Sequence, residues 1–438
     1  MNVLFRNATI LPMTAKEGEP QLVEGSLAVE DRKIAYVAGD EARDEEFLKT
    51  HKEVKVVDCR GNLLMPGLIN THCHAAMTLQ RSMADDISLM EWLNDHIWPF
   101  EAVQTPEEIQ VGMRLGIAEM LLGGITSFVD MYHYEHRCVD VVDRMGIRAL
   151  LSCNFFDANI DRVEGEILEA NRLAEGKDCI AIGVAAHAPY SCNRENILRG
   201  KALARKLGMK FIIHVAETKD ETRTIEEQWG MSPVKYLDSL GVLDEDTIAA
   251  HCIYVDDEDI DILVKRGVNI SHNPQSNMKI SSGVAPVAKQ LAAGGWVTIA
   301  TDGTCSNNDL DLFEEMRSAS FLQKVTTGSP TVLPAYEVLK MVTVNGARAM
   351  GYKEGELGVL KEGALADLIM IDLRKPHLQP IHNLVSNIVY CCKASDVDLV
   401  MVGGRILVEH RELLGVDLNE LYDDANRAVQ RIIHDWKK

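Results

Sequence analysis

Residues 66–74 read Pro-Gly-Leu-Ile-Asn-Thr-His-Cys-His. The apolar residues that follow the Pro-Gly turn indicate a buried β-strand. Side chains two positions apart on a strand share a face, so His72 and His74 lie side by side at its end while Cys73 faces away. Two neighbouring imidazoles suit a divalent metal ion, although two histidines in a polar loop would give the same pattern.

Seven more short apolar runs follow, and longer amphipathic stretches separate them. The eight predicted strands are Leu68–His72, Thr126–Asp130, Arg148–Asn154, Ile180–Ala186, Phe211–Val215, Thr247–His251, Asn269–Ser271 and Val297–Thr301. The predicted helices between them include Pro106–Leu122, Arg194–Leu207, Asp257–Lys265 and Leu310–Lys324. This alternation predicts an α/β fold, a (β/α)8 TIM-type barrel. An open doubly wound sheet is the alternative, but no Gly-x-Gly-x-x-Gly follows the first strand.

Short strands separated by turn residues predominate at both ends of the chain. The predicted strands are Val3–Ile10, Gly25–Glu30, Lys33–Ala38 and Val54–Asp58 before the barrel, and Gly358–Leu360, Asp367–Ile371, Ser386–Val389, Leu399–Val402 and Arg405–Val408 after it. A predicted helix, Leu418–Trp436, closes the chain. We expect residues 1–58 and 357–438 to form one small β-sandwich domain, with the barrel at 59–356 inserted between them.

Charge and composition narrow the classes of partner. A net charge of −21 over 438 residues argues against a nucleic-acid polymer, because phosphate contacts need clustered Lys and Arg, but it does not exclude a nucleoside. No apolar run approaches the roughly 18–20 residues of a membrane span, and the N-terminus lacks a signal-peptide pattern. The ten cysteines contain no C-x-x-C, so we expect reduced thiols in a cytoplasmic protein.

Histidines and carboxylates follow six of the eight predicted strands. In chain order they are His72 and His74 (strand 1), His187 (strand 4), His214 and Glu217 (strand 5), His251 (strand 6), His272 (strand 7) and Asp302 (strand 8). The C-terminal ends of barrel strands open onto one mouth, where the active sites of such barrels lie. Any one of these residues is commonly structural, but together they predict a single site.

Three imidazoles and a carboxylate match the ligand set of zinc or a similar divalent ion. We assign His72, His74, His214 and Asp302 as the ligands. Such an ion lowers the pKa of a bound water towards ~7, and Asp302 can also accept the proton of that water. A bridging lysine of a two-metal site is not found in Ile180–Ala186.

Two further residues near the predicted ligands have catalytic interpretations. His251 is placed to orient the attacking hydroxide, and the alternative is that it is a fifth ligand. Glu217 could deliver a proton to the substrate as a carboxylic acid, and the alternative is that it caps the following helix.

The chain resembles the amidohydrolase superfamily, and within it the branch of 5-methylthioadenosine/S-adenosylhomocysteine deaminases and their chlorohydrolase relatives. The matching segments are 66–74, Glu91-Trp92-Leu93, His187-Ala188-Pro189-Tyr190, His214-Val215-Ala216-Glu217-Thr218, Ala250-His251-Cys252, 271–277, Thr301-Asp302-Gly303, Ser306-Asn307-Asn308 and Glu314-Glu315-Met316-Arg317. The resemblance covers nearly the whole chain, including the split β domain.

The resemblance implies hydrolytic deamination of adenine at C6 in an adenosine-type nucleoside. It implies one Zn²⁺ per subunit (iron in some relatives), with Glu217 shuttling a proton to the ring nitrogen. It also implies that Glu101 binds the ribose hydroxyls and that His187 contacts the nucleoside, although from sequence alone Glu101 equally fits a helix-capping acid. The partners we expect are a small-molecule nucleoside and further copies of the chain in a homo-oligomer, with no nucleic-acid polymer and no membrane.

One departure from the family pattern bears on the substrate. Relatives that accept S-adenosylhomocysteine hold its carboxylate with arginines after the third strand, where this chain has Cys153, with Arg162 as a loosely aligned second candidate. Since an unpaired carboxylate is costly to bury, we expect a less charged 5′ group, as in 5′-methylthioadenosine, 5′-deoxyadenosine or adenosine. Phe155 and Phe156 could line an apolar 5′ pocket or belong to the core.

Two alternative functions remain open at this point. One is another hydrolase with the same site, either a guanine deaminase or a chlorohydrolase that acts on triazine-like rings. The other is a metal-free interaction protein on the same fold, against which the complete ligand set argues.

Overall fold

A computed structural model describes residues 1–15, 21–87 and 91–437 of the chain. The strands form two nine-stranded sheets. The strands are β1 Asn2–Ile10, β2 Val23–Glu30, β3 Lys33–Gly39, β4 Val54–Asp58, β5 Leu63–Pro66, β6 Leu68–His74, β7 Ile125–Tyr132, β8 Arg148–Phe155, β9 Ile180–Ala186, β10 Phe211–Val215, β11 Thr247–His251, β12 Asn269–His272, β13 Trp296–Ile299, β14 Asp302–Gly303, β15 Leu368–Ile371, β16 Val397–Val402, β17 Arg405–Glu409 and β18 Glu412–Leu413.

Most helices lie between the strands of the second sheet. The α-helices of the described residues are Glu41–Thr50, Trp98–Val103, Pro106–Leu122, Glu135–Met145, Ile160–Ala174, Arg194–Leu207, Lys219–Trp229, Pro233–Ser239, Asp257–Arg266, Pro274–Lys279, Val287–Ala292, Leu312–Thr327, Ala335–Met341, Val344–Ala349, Leu384–Tyr390 and Leu418–Trp436. Ala75–Gln80, Pro376–Leu378 and Ala394–Asp396 are 3₁₀ turns, and Trp92–Ile97 is a π-helix. No described helix is long and apolar enough to cross a membrane.

The second sheet is a closed parallel barrel, as the alternation of strands and helices predicts. Its order is β13-β12-β11-β10-β9-β8-β7-β6-β14, and β14 pairs with β6 through Asp302–Cys73 and Gly303–His74. β13 and β14 are two parts of the eighth strand, interrupted at 300–301, so this strand closes the barrel against the first. Closure brings Asp302 beside the pair His72 and His74.

The opposite end of the barrel is filled by apolar side chains. Ile69, Leu150 and Ile248 belong to one buried cluster with residues of the helix Val344–Ala349. A Cβ added at Gly346 would lie 2.8 Å from the side chain of Ile69, so the helix needs glycine at this point of contact. Catalytic groups are therefore confined to the other mouth.

The first sheet contains strands from both ends of the chain. Its order is β18-β17-β16-β15-β5-β1-β2-β3, with β4 paired to β1. β5, which directly precedes the first barrel strand, links the halves because it is parallel to β1 and antiparallel to β15. These strands form one continuous sheet, so a separate two-layered sandwich is not confirmed.

Two short strands predicted in the C-terminal part are wrong. Ser386–Val389 lies inside the helix Leu384–Tyr390, which begins where the Asn383 side chain accepts a hydrogen bond from the Ser386 backbone. Gly358–Leu360 is irregular, and Gly358 has a φ of +75°, which a strand does not allow. Both segments are too short to separate a strand from other structure by pattern alone.

Candidate active site

A cleft with about 710 Å³ of empty volume opens at the C-terminal mouth of the barrel. The sequence-predicted residues that line it are His74, Glu101, His187, His214, Glu217, His251 and Asp302. His72 lies at its base, wholly buried.

The four predicted ligands converge at the base of this cleft. The Nε2 atoms of His72 and His214 are 3.2 Å apart, and Asp302 Oδ1 lies 3.5 Å from His72 Nε2 and 3.2 Å from His74 Nε2. Ligand atoms of His72, His74 and His214 all lie within 4.8 Å of one another, as do those of His72, His251 and Asp302. This donor set is that of a mononuclear zinc-type centre.

Backbone carbonyls orient two of the imidazoles. Nδ1 of His74 donates to the Met131 carbonyl oxygen at 2.5 Å, and Nδ1 of His214 donates to the His187 carbonyl oxygen at 2.8 Å. With Nδ1 held by a carbonyl oxygen, Nε2 of each ring points at the centre and can ligate a metal once it carries no proton. Acceptors that face each other this closely, beside a carboxylate, fit a cation between them.

The electrostatics of the centre agree with that fit. Burial lowers the pKa of His72 to about 4 and that of His214 well below its usual value, so both rings are neutral. Burial alone would raise the pKa of Asp302, but hydrogen bonds from His72 and His74 hold it well below its usual range. Burial likewise opposes protonation of His74, yet Asp302 raises the pKa of this imidazole to about 9, so a metal ion bound here would take the place of the proton on Nε2. The carboxylate therefore attracts positive charge to this point.

Three side chains hold the catalytic groups in place, two on the helix Pro274–Lys279 and one after β14. Ser276 and Ser306 each donate to Asp302 Oδ2, at 2.6 and 3.0 Å. Asn277 Oδ1 lies 2.9 Å from His251 Nδ1, which directs Nε2 of that ring towards the cleft. Both Asp302 and His251 are thus held in one orientation.

Glu217 does not cap the following helix, which was the alternative interpretation of its position. Thr218 caps the helix Lys219–Trp229, and the Glu221 carboxylate accepts the backbone N–H of Glu217 at 2.7 Å. The side chain of Glu217 lines the cleft, with Oε2 3.9 Å from His251 Nε2. Burial raises the pKa of Glu217, which favours a carboxyl able to carry a proton.

Four of the eighteen described non-glycine residues with positive φ lie at the strand ends that carry these groups. The angles are +51° at Ala216, +74° at His251, +45° at Cys252 and +62° at Asp302. Such conformations cost energy and are concentrated at functional sites, where the surrounding structure imposes them. The left-handed backbone conformations at these four residues are therefore imposed by the packing around the site.

Glu101 lies on the outer side of the cleft, in the helix Trp98–Val103. Its Oε1 accepts a hydrogen bond from Tyr132 Oη at 2.7 Å, and its Oε2 lies 3.7 Å from His133 Nε2. Burial raises the pKa of this carboxyl, but His133 and Tyr132 outweigh burial and keep it below its usual value. Glu101 is an ionised acceptor, and Thr105 caps the next helix in its place.

An aromatic wall runs from the metal ligands to Glu101. His187 stacks on Phe156 with ring centroids 4.4 Å apart, and Phe156 stacks on His133 at 6.0 Å. The His187 ring is also held by Ser191 Oγ, 2.7 Å from Nδ1. This wall offers a flat surface to a planar ring system.

The structure changes the interpretation of Cys153. This residue is buried in the main apolar cluster with Cys138 and does not line the cleft. Side chains alternate along β8, so the neighbours Asn154 and Phe156 face the cleft while Cys153 and Phe155 face the helices. Arg162 is exposed and paired with Glu166, away from the cleft. An arginine at position 153 would not reach a substrate.

His272 is also outside the cleft. It is wholly buried, neither ring nitrogen has a hydrogen-bond partner among the described residues, and burial lowers its pKa to about 3. It is a neutral imidazole of the barrel interior.

Sequence reasoning gave no role to several residues that shape the site. Ser276, Asn277 and Ser306 belong to segments that match the family, but no role was predicted for them. They follow strands that carry predicted site residues. Tyr132 ends the second strand, which begins one residue earlier and ends two residues later than predicted, and His133 follows it. The polar residues at the end of that strand were the sequence signal that could have identified Tyr132 and His133 as site residues.

Known proteins resemble this chain over nearly its full length. The sequence profile of the amidohydrolase family matches residues 63–407. A 5-methylthioadenosine/S-adenosylhomocysteine deaminase of Pelotomaculum thermopropionicum is 41% identical and covers 99% of both chains. A 5′-deoxyadenosine deaminase of Methanosarcina acetivorans is also 41% identical, over 99% of this chain and 98% of its own. The zinc-bound crystal structure of an adenosine deaminase from Xanthomonas campestris superposes with a TM-score of 0.93 at 33% identity, covering 99% of this chain and 98% of its own.

Proposed function

The chain belongs to the amidohydrolase family, and on that premise we propose that it deaminates the adenine ring of adenosine-type nucleosides at C6. The products are the inosine analogue and ammonia. One observation carries the proposal. The Glu217 carboxylate lies 3.9 Å from His251 Nε2, in the same cleft that His74, His214 and Asp302 line.

His72, His74, His214 and Asp302 would hold the metal, because their ligand atoms converge and two of the imidazoles present Nε2 lone pairs. Zinc is the ion we propose, one per subunit. When bound, it supplies a positive charge that lowers the pKa of water to near neutrality. Asn277 and the two serines hold His251 and Asp302 ready to act on that water.

Proton transfer is assigned to Glu217 and Asp302. The water oxygen forms a bond to C6, one of its protons passes through Glu217 to the ring nitrogen, and the other passes through Asp302 to the amine. The C6–N bond then breaks and ammonia leaves. The raised pKa of Glu217 suits this role, since a shuttle must both accept and release a proton near neutral pH. His251 orients the water for attack.

The sugar and ring contacts are assigned to Glu101 and His187. An ionised carboxylate can accept hydrogen bonds from two vicinal hydroxyls, and Glu101 is kept ionised by Tyr132 and His133. His187, within the aromatic wall, contacts the nucleoside. These contacts favour a riboside over a free base such as guanine or a triazine.

The cleft favours an uncharged 5′ group. Among the described residues that line it, none is Lys or Arg. Asn154 near the end of β8 and Phe156 directly after this strand face the cleft. A carboxylate buried without a cationic partner is unfavourable. We therefore propose 5′-methylthioadenosine, 5′-deoxyadenosine or adenosine ahead of S-adenosylhomocysteine.

Adding an arginine to the cleft should change this preference. Asn154→Arg is expected to raise kcat/KM for S-adenosylhomocysteine relative to 5′-methylthioadenosine by about 10-fold, the value of one charge-assisted hydrogen bond. Asn419→Arg is the matched control, because this asparagine is exposed on the helix Leu418–Trp436 and the change should leave the ratio unchanged. If Cys153→Arg, and not Asn154→Arg, raised kcat/KM for S-adenosylhomocysteine relative to 5′-methylthioadenosine, the assignment of the two faces of β8 would be refuted.

An ammonia-release assay over a panel of substrates tests the proposed function. We expect turnover of adenosine and its neutral 5′ analogues, with little or none of guanine and a chlorotriazine. Turnover of guanine or the chlorotriazine alone would instead favour the related hydrolases, and no turnover by metal-loaded protein would favour an interaction protein.

The domain organisation is proposed with the function. Residues 1–58 and 357–438 form the small β domain, as a sandwich, and residues 59–356 form the catalytic barrel. The pairing of β5 with both β1 and β15 supports joining the two chain ends, and it adds residues 63–66 to the sheet of the small domain.

A further inference from the structure

A chain of buried hydrogen bonds leads to the Glu101 carboxylate. Gln80 Nε2 donates to Tyr132 Oη at 3.3 Å, and Tyr132 Oη donates to Glu101 Oε1 at 2.7 Å. Gln80 is wholly buried and Tyr132 is 3% exposed, so water does not compete for these bonds. Gln80 ends the 3₁₀ turn that directly follows His74.

The direction of these bonds follows from the donors available. A tyrosine hydroxyl has one proton, and burial followed by the charge of Glu101 raises the pKa of Tyr132 well above its usual value, so the proton stays on the hydroxyl. The alternative acceptor, Gln104 Oε1, is 3.2 Å away and neutral, whereas the carboxylate is nearer and charged. The Tyr132 proton therefore points at Glu101.

Tyr132 also ties Glu101 to the metal ligands. It is the last residue of β7, and the preceding residue, Met131, holds the His74 imidazole through its carbonyl oxygen. Glu101 itself lies on a six-residue helix outside the barrel. A rigid strand end thus sets the distance between the carboxylate and the catalytic centre.

We propose that Tyr132 is a positioning residue for nucleoside recognition, which orients Glu101 so that it accepts the vicinal ribose hydroxyls while C6 lies at the catalytic centre. The inference rests on the proposed function. Oε1 is occupied by Tyr132, which fixes the plane of the carboxylate and leaves its remaining lone pairs for the sugar. Loss of the Tyr132 hydroxyl should then weaken the binding of ribosides. It should not affect nucleosides that lack the 2′- and 3′-hydroxyls.

The test compares Tyr132→Phe with wild type on adenosine and on 2′,3′-dideoxyadenosine. We expect KM for adenosine to rise about 10-fold with kcat nearly unchanged, and KM for the dideoxy analogue to stay as in wild type. Glu101→Gln should remove the discrimination between the two substrates. Tyr236→Phe, which removes the hydroxyl of a buried tyrosine stacked on Trp229, is the control expected to behave as wild type.

The outcomes separate the inference from its premise. A wild-type ratio of the two KM values in Tyr132→Phe, together with a lost ratio in Glu101→Gln, would overturn the role of Tyr132 alone. An equal KM increase for both substrates in Tyr132→Phe would also overturn it, because it would indicate general damage. No ammonia from either nucleoside with wild type would instead reject the proposed function.

Discussion

Replacing Glu217 by glutamine should lower kcat by about 10²- to 10⁴-fold, the usual contribution of a positioned acid–base group. Glutamine preserves the size of the side chain but cannot carry a proton from water to the ring nitrogen. Metal content should stay at the wild-type level, because Glu217 is 3.9 Å from His251 and is not among the converging ligand groups. Steady-state kinetics with metal analysis of the same preparation measures both quantities.

The matched control is Glu226→Gln, an exposed carboxylate on the helix that follows Glu217. It should retain wild-type kcat. Loss of metal together with activity in Glu217→Gln would make Glu217 a ligand and would refute the assignment of the proton shuttle.

Removal of the metal should abolish deamination, and zinc should restore it only when the ligand set is intact. We expect chelated wild type to recover with Zn²⁺, whereas His214→Ala binds no metal and stays inactive. Ligand binding to the folded state also stabilises it, by about 2.7 kcal/mol at a free concentration of 100 times Kd. Thermal unfolding with and without Zn²⁺ should therefore show a shift for wild type and none for His214→Ala.

His410→Ala is the control for this experiment, because His410 is an exposed histidine in the turn between β17 and β18 of the first sheet. Its metal content and zinc-dependent thermal shift should match those of wild type. Full activity of chelated wild type, or an undiminished thermal shift in His214→Ala, would contradict the ligand assignment.

The barrel and the convergence of most polar residues at its strand ends were predictable because their sequence signals are local, although His272 lies outside the cleft. All eight predicted barrel strands exist, and a polar residue at the end of a parallel strand has only one mouth to face. The convergence of His72, His74, His214 and Asp302 follows from barrel closure through β14.

Other features depend on contacts that a sequence does not reveal. The apolar run Ser386–Val389 forms a helix because Asn383 caps it, and a run this short fits either state. Cys153 was assigned to the substrate side by its alignment with the arginines of relatives, whereas its side chain is buried in the main apolar cluster. Tyr132 acquires its role only when Glu101 and Gln80, each distant in sequence, pack against it.

The most direct test of the central claim is the fate of the water oxygen. The protein is incubated with adenosine in ¹⁸O-labelled water, and the nucleoside product and ammonia are quantified by mass spectrometry and an ammonia assay. We predict inosine labelled at C6 and one ammonia for each inosine. An unlabelled product, a label on the ribose or release of free adenine would contradict hydrolytic deamination at this site.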